Sequence, residues 1–363
     1  MKVEVITLHR VTNFGSLLQT YATQKSLERL GHQVEVVDFV PEGLSFYRAV
    51  WPKGHSTVKR LIKLLPLMFC NVMQYAMSDS FLRKYINLTQ KCYGSYAQLA
   101  EDVPVADVYL SGSDQVWNTQ NSNPPADLGA YYLAFTGDKK RVAYAGSFGK
   151  DDFSPEETAL VTNWLKEYAA ISVREDTALN TLSKFGLEGV HVVDPTLLLT
   201  PEDWKQLCTK KAPKPGYVFI YNLNRNKVLE QAAVAIAKEK GLRVVNFADT
   251  FEFVPGAENR FGNDPLDFIN YLSKADYVVT DSFHGTAFSL NFSKQVLSIP
   301  APKYNCRLES VLRMTGCEDR MFTTVDEALE KVEMPIDYAV VQEKLNNARV
   351  VSLDYLKEAL KEQ

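Results

Sequence analysis

Few cysteines, no long apolar run and no excess of either charge characterise this chain of 363 residues. The cysteines, Cys70, Cys92, Cys208, Cys306 and Cys317, are odd in number and never stand as C-x-x-C. That argues against a disulfide framework and a zinc site, and for a reducing compartment. The most hydrophobic window, Leu61 to Met77, is interrupted by Lys63, Pro66, Asn71 and Gln74, whereas a membrane-spanning helix needs about 20 nearly unbroken apolar residues. Lysine and arginine total 40 against 44 acids, a net charge of −4. No global positive field draws nucleic acid, so any anion site must be local. The opening Met-Lys-Val-Glu-Val-Ile-Thr is strand-like and lacks the charged and apolar regions of a secretory signal, so a cytoplasmic location is expected. What is present is 46% apolar and 23% charged, a globular balance that excludes disorder. At about 150 residues per domain, the length predicts two domains.

Short β-branched runs alternate with helical patterns, with no internal repeat and no low-complexity tract. Val3 to Thr7, Gln33 to Phe39, Ala106 to Leu110, Arg141 to Ala145, Ala170 to Val173 and Val190 to Val193 read as strands. Leu17 to Leu30 reads as a helix stopped by Gly31. Ser154-Pro155-Glu156-Glu157 combines an N-cap, a proline at the first helical position and acids in the first turn. A break falls from Asp194-Pro195-Thr196 to Thr200-Pro201-Glu202-Asp203, and Lys210 to Gly216 is a solvated turn cluster. The alternation restarts with strand Tyr217 to Tyr221, helix Lys227 to Lys240 and strand Leu242 to Phe247. Helix Pro265 to Ser273, strand Asp276 to Thr280, helix Gly285 to Phe292 and strand Val296 to Ile299 follow, then a terminal helix, Tyr338 to Lys361. This order predicts two open, parallel-sheet α/β units with helices on both faces. The expected domains are residues 1–198 and 199–335, with 336–363 a helix returning to the first.

Ligands of open parallel sheets sit beyond the carboxyl ends of the strands, so polar residues placed there are site candidates. Asn13, Gly15, Ser113, Asp114, Ser147 and Arg174 follow predicted strands of the first unit. Asn222, Asp281, Ser282, His284, Gly285 and Thr286 do so in the second. If the halves face each other, these loops converge on one cleft. At Asp281-Ser282-Phe283-His284-Gly285-Thr286, free amides at a helix start would suit a phosphate, and a histidine there can give or take a proton near neutral pH. The plainer alternative is that Asp281 or Ser282 caps the helix while His284 packs. Arg174 is either a forked clamp for phosphate or carboxylate, or a partner of Glu175 or Asp176. Asp114 and Asn13 are each a site residue or a simple helix cap, and Asn222 lines a cleft or an ordinary turn. His9, His32 and His191 stand alone, which argues against a metal at each.

The segments Asn13-Phe-Gly-Ser-Leu-Leu-Gln19, Tyr109-Leu-Ser-Gly-Ser-Asp-Gln-Val-Trp117, Ile171-Ser-Val-Arg-Glu-Asp176, Val193-Asp-Pro-Thr-Leu198 and Asp281-Ser-Phe-His-Gly-Thr286 occur in an order that resembles the polysaccharide pyruvyl transferase family over roughly residues 1 to 330. The resemblance implies a two-domain fold like that of the GT-B glycosyltransferases. It also implies transfer of the enolpyruvyl carbons of phosphoenolpyruvate onto two hydroxyls of a sugar or lipid-linked oligosaccharide acceptor, giving a cyclic ketal and phosphate. In that reading His284 is the acid, Arg174 holds phosphoenolpyruvate and Asp114 is the base or orients the acceptor. No metal and no cofactor are expected. Many family members read Arg-Leu-His where this chain reads Ser282-Phe283-His284; Lys303 or Arg307 is then expected to supply the missing charge.

Two other functions remain open at this point. One is a nucleotide-sugar glycosyltransferase, for which Asp249 and Glu252 are the available ribose-binding carboxylates; the other is a non-catalytic sugar- or phosphate-binding module. Val58 to Met77, with Lys59, Arg60 and Lys63 beside many leucines, reads either as an amphipathic segment touching a membrane surface or as a helix packed on the first sheet.

Overall fold

Strand pairing is parallel at every register the computed structural model defines. The structure describes residues 1–41, 57–120, 127–248, 253–301 and 305–361, with the backbone alone over 57–67. The first sheet contains β1 (Lys2–Ile6), β2 (Gln33–Phe39), β3 (Leu88–Tyr93), β4 (Val108–Ser111), β5 (Lys140–Gly146), β6 (Ala170–Val173) and β7 (Val190–His191) in the order β3-β2-β1-β4-β5-β6-β7. The second contains β8 (Tyr217–Tyr221), β9 (Arg243–Phe247), β10 (Glu258–Arg260), β11 (Tyr277–Thr280) and β12 (Gln295–Ser298) in the order β10-β9-β8-β11-β12. Central strands β4 and β8 are buried at every position, as expected where helices cover both faces of a parallel sheet.

The first half carries helices α1 (Phe14–Arg29), α2 (Thr57–Tyr85), α3 (Tyr96–Glu101), α4 (Leu128–Tyr131), α5 (Pro155–Leu165), α6 (Thr177–Lys184), α7 (Pro195–Leu198) and α8 (Pro201–Leu207). The second carries α9 (Lys227–Lys240), α10 (Pro265–Leu272), α11 (Phe283–Asn291), α12 (Cys306–Thr315), α13 (Val325–Val332) and α14 (Tyr338–Ala359). Their ends follow local chemistry. Ser154 and Glu157 form a reciprocal capping box ahead of α5, and Gly241, with φ 66°, supplies the left-handed turn that ends α9.

The halves share one apolar junction. Phe14, at the first position of α1, stacks on Phe268 at 5.5 Å and meets Phe247 at 5.6 Å and Tyr221 at 6.0 Å. Burying one such ring contributes about 1.5–3 kcal/mol. Trp204 on α8 packs between Tyr21 of α1 and Phe288 of α11. The last helix crosses the same seam: Tyr355 donates to the Ala143 carbonyl at 2.8 Å, while Arg349 donates to the Leu197 carbonyl at 2.6 Å and to Asn291 Oδ1 at 2.9 Å. The cleft between the sheets is therefore built on a fixed floor.

Two strands escape the sequence pattern. Both β3 and β10 are edge strands, and their polar, partly exposed residues lack the apolar alternation of a buried strand. The strand expected to run to Val193 ends at His191, because the chain leaves the sheet there and Asp194 caps α7. Of the segment Val58 to Met77, the side chains of 57–67, Lys59, Arg60 and Lys63 included, lie outside the described residues. No helix among the described residues is long and apolar enough to cross a membrane.

Glu4 on β1 yields a stability prediction. Its carboxylate is fully buried, in register with Glu35 on β2 and 3.0 Å from Lys2 Nζ. Burial, only partly opposed by Lys2, pushes it up to about 8 from 4.5. The folded chain therefore keeps a proton that the unfolded chain releases, and stability drains away as pH rises across that window. Glu4→Gln is expected to melt higher than the parent at a pH of about 8, with the advantage gone at about 5. Thermal unfolding at the two pH values checks this, and a pH-independent difference counts against it.

Candidate functional site

The sequence of strands reverses direction beside β1 in the first sheet and beside β8 in the second. At such switch points the loops after adjacent strands diverge and leave a crevice at the carboxyl edge. Here the two crevices face each other across a cleft of about 570 Å³. Asn13, Ser16, Asp114 and Gln115 line it from the loops after β1 and β4. Leu223, Asn224, Asp281, Ser282 and His284 line it from the loops after β8 and β11, with Arg307 from the start of α12.

His284 reaches the cleft because Ser282 caps α11, its hydroxyl accepting from the Gly285 amide at 3.2 Å. The imidazole lies directly on the backbone of α1: a Cβ on Gly15 would stand 2.0 Å from His284 Nδ1. Gly15 is thus the seat of the ring, which joins the two halves at the site. Gly15→Ala must displace the imidazole and is expected to cut turnover at least about tenfold, with thermal stability falling less than for a core cavity. Steady-state kinetics beside a melting curve tests this, and wild-type turnover refutes it.

A buried charge cluster lies behind the histidine. Arg174 donates through Nη1 to Asp194 at 3.0 Å and through Nε to Glu175 at 2.9 Å, and Nη2 stands 3.9 Å from Asp114. Its guanidinium lies over the Phe283 ring at 4.4 Å, a favourable cation–π placement. Burial opposes the charge on Asp114, but Arg174, His284, the Ser16 hydroxyl and Arg307 together hold its carboxyl below the usual range. Asp194 is likewise held well below it, burial being outweighed by His284, Arg174 and the Thr196 amide. For Arg307, burial and the like charge of Arg174 lower the guanidinium's hold on its proton. Asp114 and Glu175 only partly offset this. The Gln115 carboxamide, turned with its oxygen outward, accepts from Arg307 Nη1 at 2.7 Å and Nη2 at 3.1 Å.

Among the described residues, three nitrogens of this cluster are buried without a hydrogen-bond partner: Arg174 Nη2, His284 Nε2 and Arg307 Nε. Buried donors are normally satisfied, so the two guanidinium nitrogens beside one cleft single it out as the candidate site. Asp114 has a left-handed backbone, φ 75°, uncommon for a residue with a side chain and concentrated at functional sites. Its carboxylate accepts from the Ser16 hydroxyl and from the Gln115 amide at 2.9 Å.

Several expectations are corrected. Gly285 and Thr286 offer no free amides, because Ser282 already accepts from both, through its hydroxyl and its carbonyl oxygen. The Thr286 hydroxyl is spent on Ser282 and Ser298, and a Cβ on Gly285 would lie 2.5 Å from Thr280 Oγ1, so that glycine serves packing. Ser282 is a helix cap that touches the cleft. Asn222 turns away to close a turn with Asn226, and Ser147 is buried and bonded to the Gly149 amide; neither lines the cleft. Ser113 is also buried, and stands behind the site, donating to Asp194 at 3.0 Å. Asn13 caps α1 and lines the cleft as well. Lys303, Asp249 and Glu252 lie outside the described residues.

Asp194, Gln115 and Ser16 join the cluster without having stood out in the sequence pattern. Asp194 falls in the break between the two runs of alternation, although an acid directly after a strand region carries the same signal as Arg174. Asp281 accepts from the Leu223 amide at 2.7 Å and from Asn224 N and Nδ2 at 2.8 Å each, fixing one wall of the cleft. No group of three or more His, Cys, Asp or Glu that could hold a metal ion occurs among the described residues.

No curated protein sequence matches the chain. Among solved structures, S. aureus MnaA in its co-structure with UDP superposes with a TM-score of 0.54 at 13% identity, covering 95% of this chain and 90% of that one. UDP-GlcNAc 2-epimerase from Neisseria meningitidis bound to UDP-GlcNAc gives 0.52 at 13% identity over 99% and 100% of the two chains. A mutant O-GlcNAc transferase of Thermobaculum terrenum gives 0.52 at 12% identity, covering 99% of this chain and 66%, just under two thirds, of that one. At such identities the likeness establishes the fold, two facing α/β units of the GT-B kind. The polysaccharide pyruvyl transferase family model matches residues 13–301, a span that begins at the Asn13 cap and takes in the loops of both halves of the cleft; the chain belongs to that family.

Proposed function

We propose that this protein is a ketal-forming pyruvyl transferase, moving the enolpyruvyl carbons of phosphoenolpyruvate onto two hydroxyls of one sugar in a polysaccharide precursor. The observation that carries this reading is the pair of buried guanidinium nitrogens, Arg174 Nη2 and Arg307 Nε, that have no hydrogen-bond partner among the described residues, with His284 beside them. Phosphoenolpyruvate presents a phosphate and a carboxylate a few bonds apart, and charge-assisted bonds from planar guanidinium groups suit both. Arg307 fills the role left open by Ser282, where many relatives carry arginine.

In the proposed reaction His284 gives a proton to the methylene carbon, making a methyl group and a cationic centre at the adjacent carbon. One sugar hydroxyl bonds to that carbon and the carbon–oxygen bond to phosphate breaks. The second hydroxyl then closes the ring. Of the two hydroxyl protons, one restores His284 and the other leaves with phosphate, so atoms and charge balance. Asp114, held ionised by its neighbours, is a weak base. Its part is to orient the acceptor through Ser16 and to stabilise the cationic centre.

Titration calorimetry with phosphoenolpyruvate, UDP sugars and GDP sugars tests the donor. Binding of phosphoenolpyruvate alone is the expected result, and binding of a nucleotide sugar with no response to phosphoenolpyruvate selects the glycosyltransferase alternative. With an acceptor in hand, the product should gain the mass of pyruvate less one water as phosphate is released.

A further inference from the structure

We propose that Asp194 is the positioning residue of His284, a buried carboxylate that fixes which ring nitrogen carries the proton; the proposal rests on the role given to His284 above. Asp194 Oδ2 stands 3.6 Å from His284 Nε2, a separation that catalytic pairs often shorten on binding substrate. The carboxylate itself cannot swing. Its Oδ1 accepts from the Thr196 amide at 2.9 Å and hydroxyl at 2.7 Å, and its Oδ2 from Ser113 at 3.0 Å and Arg174 Nη1 at 3.0 Å. Its side chain is fully buried. Gly15, having no side chain, lets the ring lie on the backbone of α1 and fixes its place there.

An ionised carboxylate can only accept, so the nitrogen facing it must be the protonated one. Nε2–H then points at Asp194, and Nδ1 is left to exchange a proton with the donor. The same carboxylate also neutralises part of Arg174. Removing its charge alone leaves the two arginines facing Asp114 and Glu175, which favours an incoming anion rather than opposing it. A positioning role and a merely structural one therefore predict opposite signs for donor affinity.

The test uses Asp194→Asn in the full chain, since asparagine keeps the size and the cap of α7 yet can present N–H to Nε2. Nitrogen NMR of [15N]histidine-labelled protein, with His284 assigned by His284→Gln, should show the Nε2–H tautomer in the parent and a shift toward Nδ1–H in the variant. Turnover should fall about tenfold or more while phosphoenolpyruvate binds as tightly or more tightly. Ser113→Ala, which removes a single bond to the carboxylate, provides a milder variant should Asp194→Asn not fold, with a smaller fall in turnover and the same unweakened binding. An unchanged tautomer in Asp194→Asn, or loss of turnover and affinity in parallel in either variant, overturns the proposal. The tautomer is read without substrate, so a wrong donor would not disturb that result, whereas absent phosphoenolpyruvate binding in the parent would count against the function and not against the dyad.

Discussion

His284→Ala is expected to lower kcat by about 10²- to 10⁴-fold, the range associated with a positioned proton donor, while leaving the fold intact. The ring is buried against Gly15 and has an edge contact with Phe283, centroids 5.0 Å apart, so its loss opens space beside the cleft rather than in the main core. Donor binding should weaken far less than turnover, since Arg174 and Arg307 remain. His284→Gln, which keeps size and hydrogen bonding but carries no titrating proton, should be as slow as alanine. Single-turnover measurements of phosphate release would separate this from slow binding. Turnover within a few-fold of the parent in either variant removes His284 from the chemistry.

Arg174→Ala is expected to damage both stability and donor binding. The guanidinium side chain is almost wholly buried, at 1% exposure, and serves Asp194 and Glu175 directly. Taking one partner out of a buried ion cluster leaves charges without compensation, a loss of about 3–5 kcal/mol. For a chain of this size that corresponds to a drop in Tm of roughly 4–7 °C. Arg174→Lys keeps the charge but cannot reach Asp194, Glu175 and the donor with one fork, so an intermediate melting point with weakened phosphoenolpyruvate binding is expected. Melting curves and calorimetry on both variants check the two halves of the claim. Parental stability and affinity in Arg174→Ala would place this residue outside the site.

Much of this arrangement was legible in the chain itself. β-Branched runs followed by small polar turns predicted parallel sheets, and the segments around Asn13, Asp114, Arg174 and His284 do meet, because each follows a central strand or seats a helix there. Ser147 and Asn222 follow strands as well, yet their side chains satisfy backbone groups of their own loops, and nothing in a local pattern distinguishes the two outcomes. Asp194 was hidden for the opposite reason. Asp-Pro-Thr reads as a break in the chain's alternation, where Asp194 caps α7, and only the three-dimensional meeting of Arg174, Ser113 and His284 around its carboxylate reveals the second use. Arg307 was expected only because a charge was missing at Ser282; its place in the cleft depends on how α12 packs.

That the unpartnered nitrogens of Arg174 and Arg307 receive phosphoenolpyruvate is tested most directly by a crystal structure of the protein with that compound bound. The phosphate and carboxylate oxygens should lie within hydrogen-bond reach of Arg174 Nη2 and Arg307, with the methylene carbon facing the His284 ring. Phosphoenolpyruvate bound elsewhere, or a nucleotide sugar occupying the cleft with its phosphates on these same nitrogens, would contradict it.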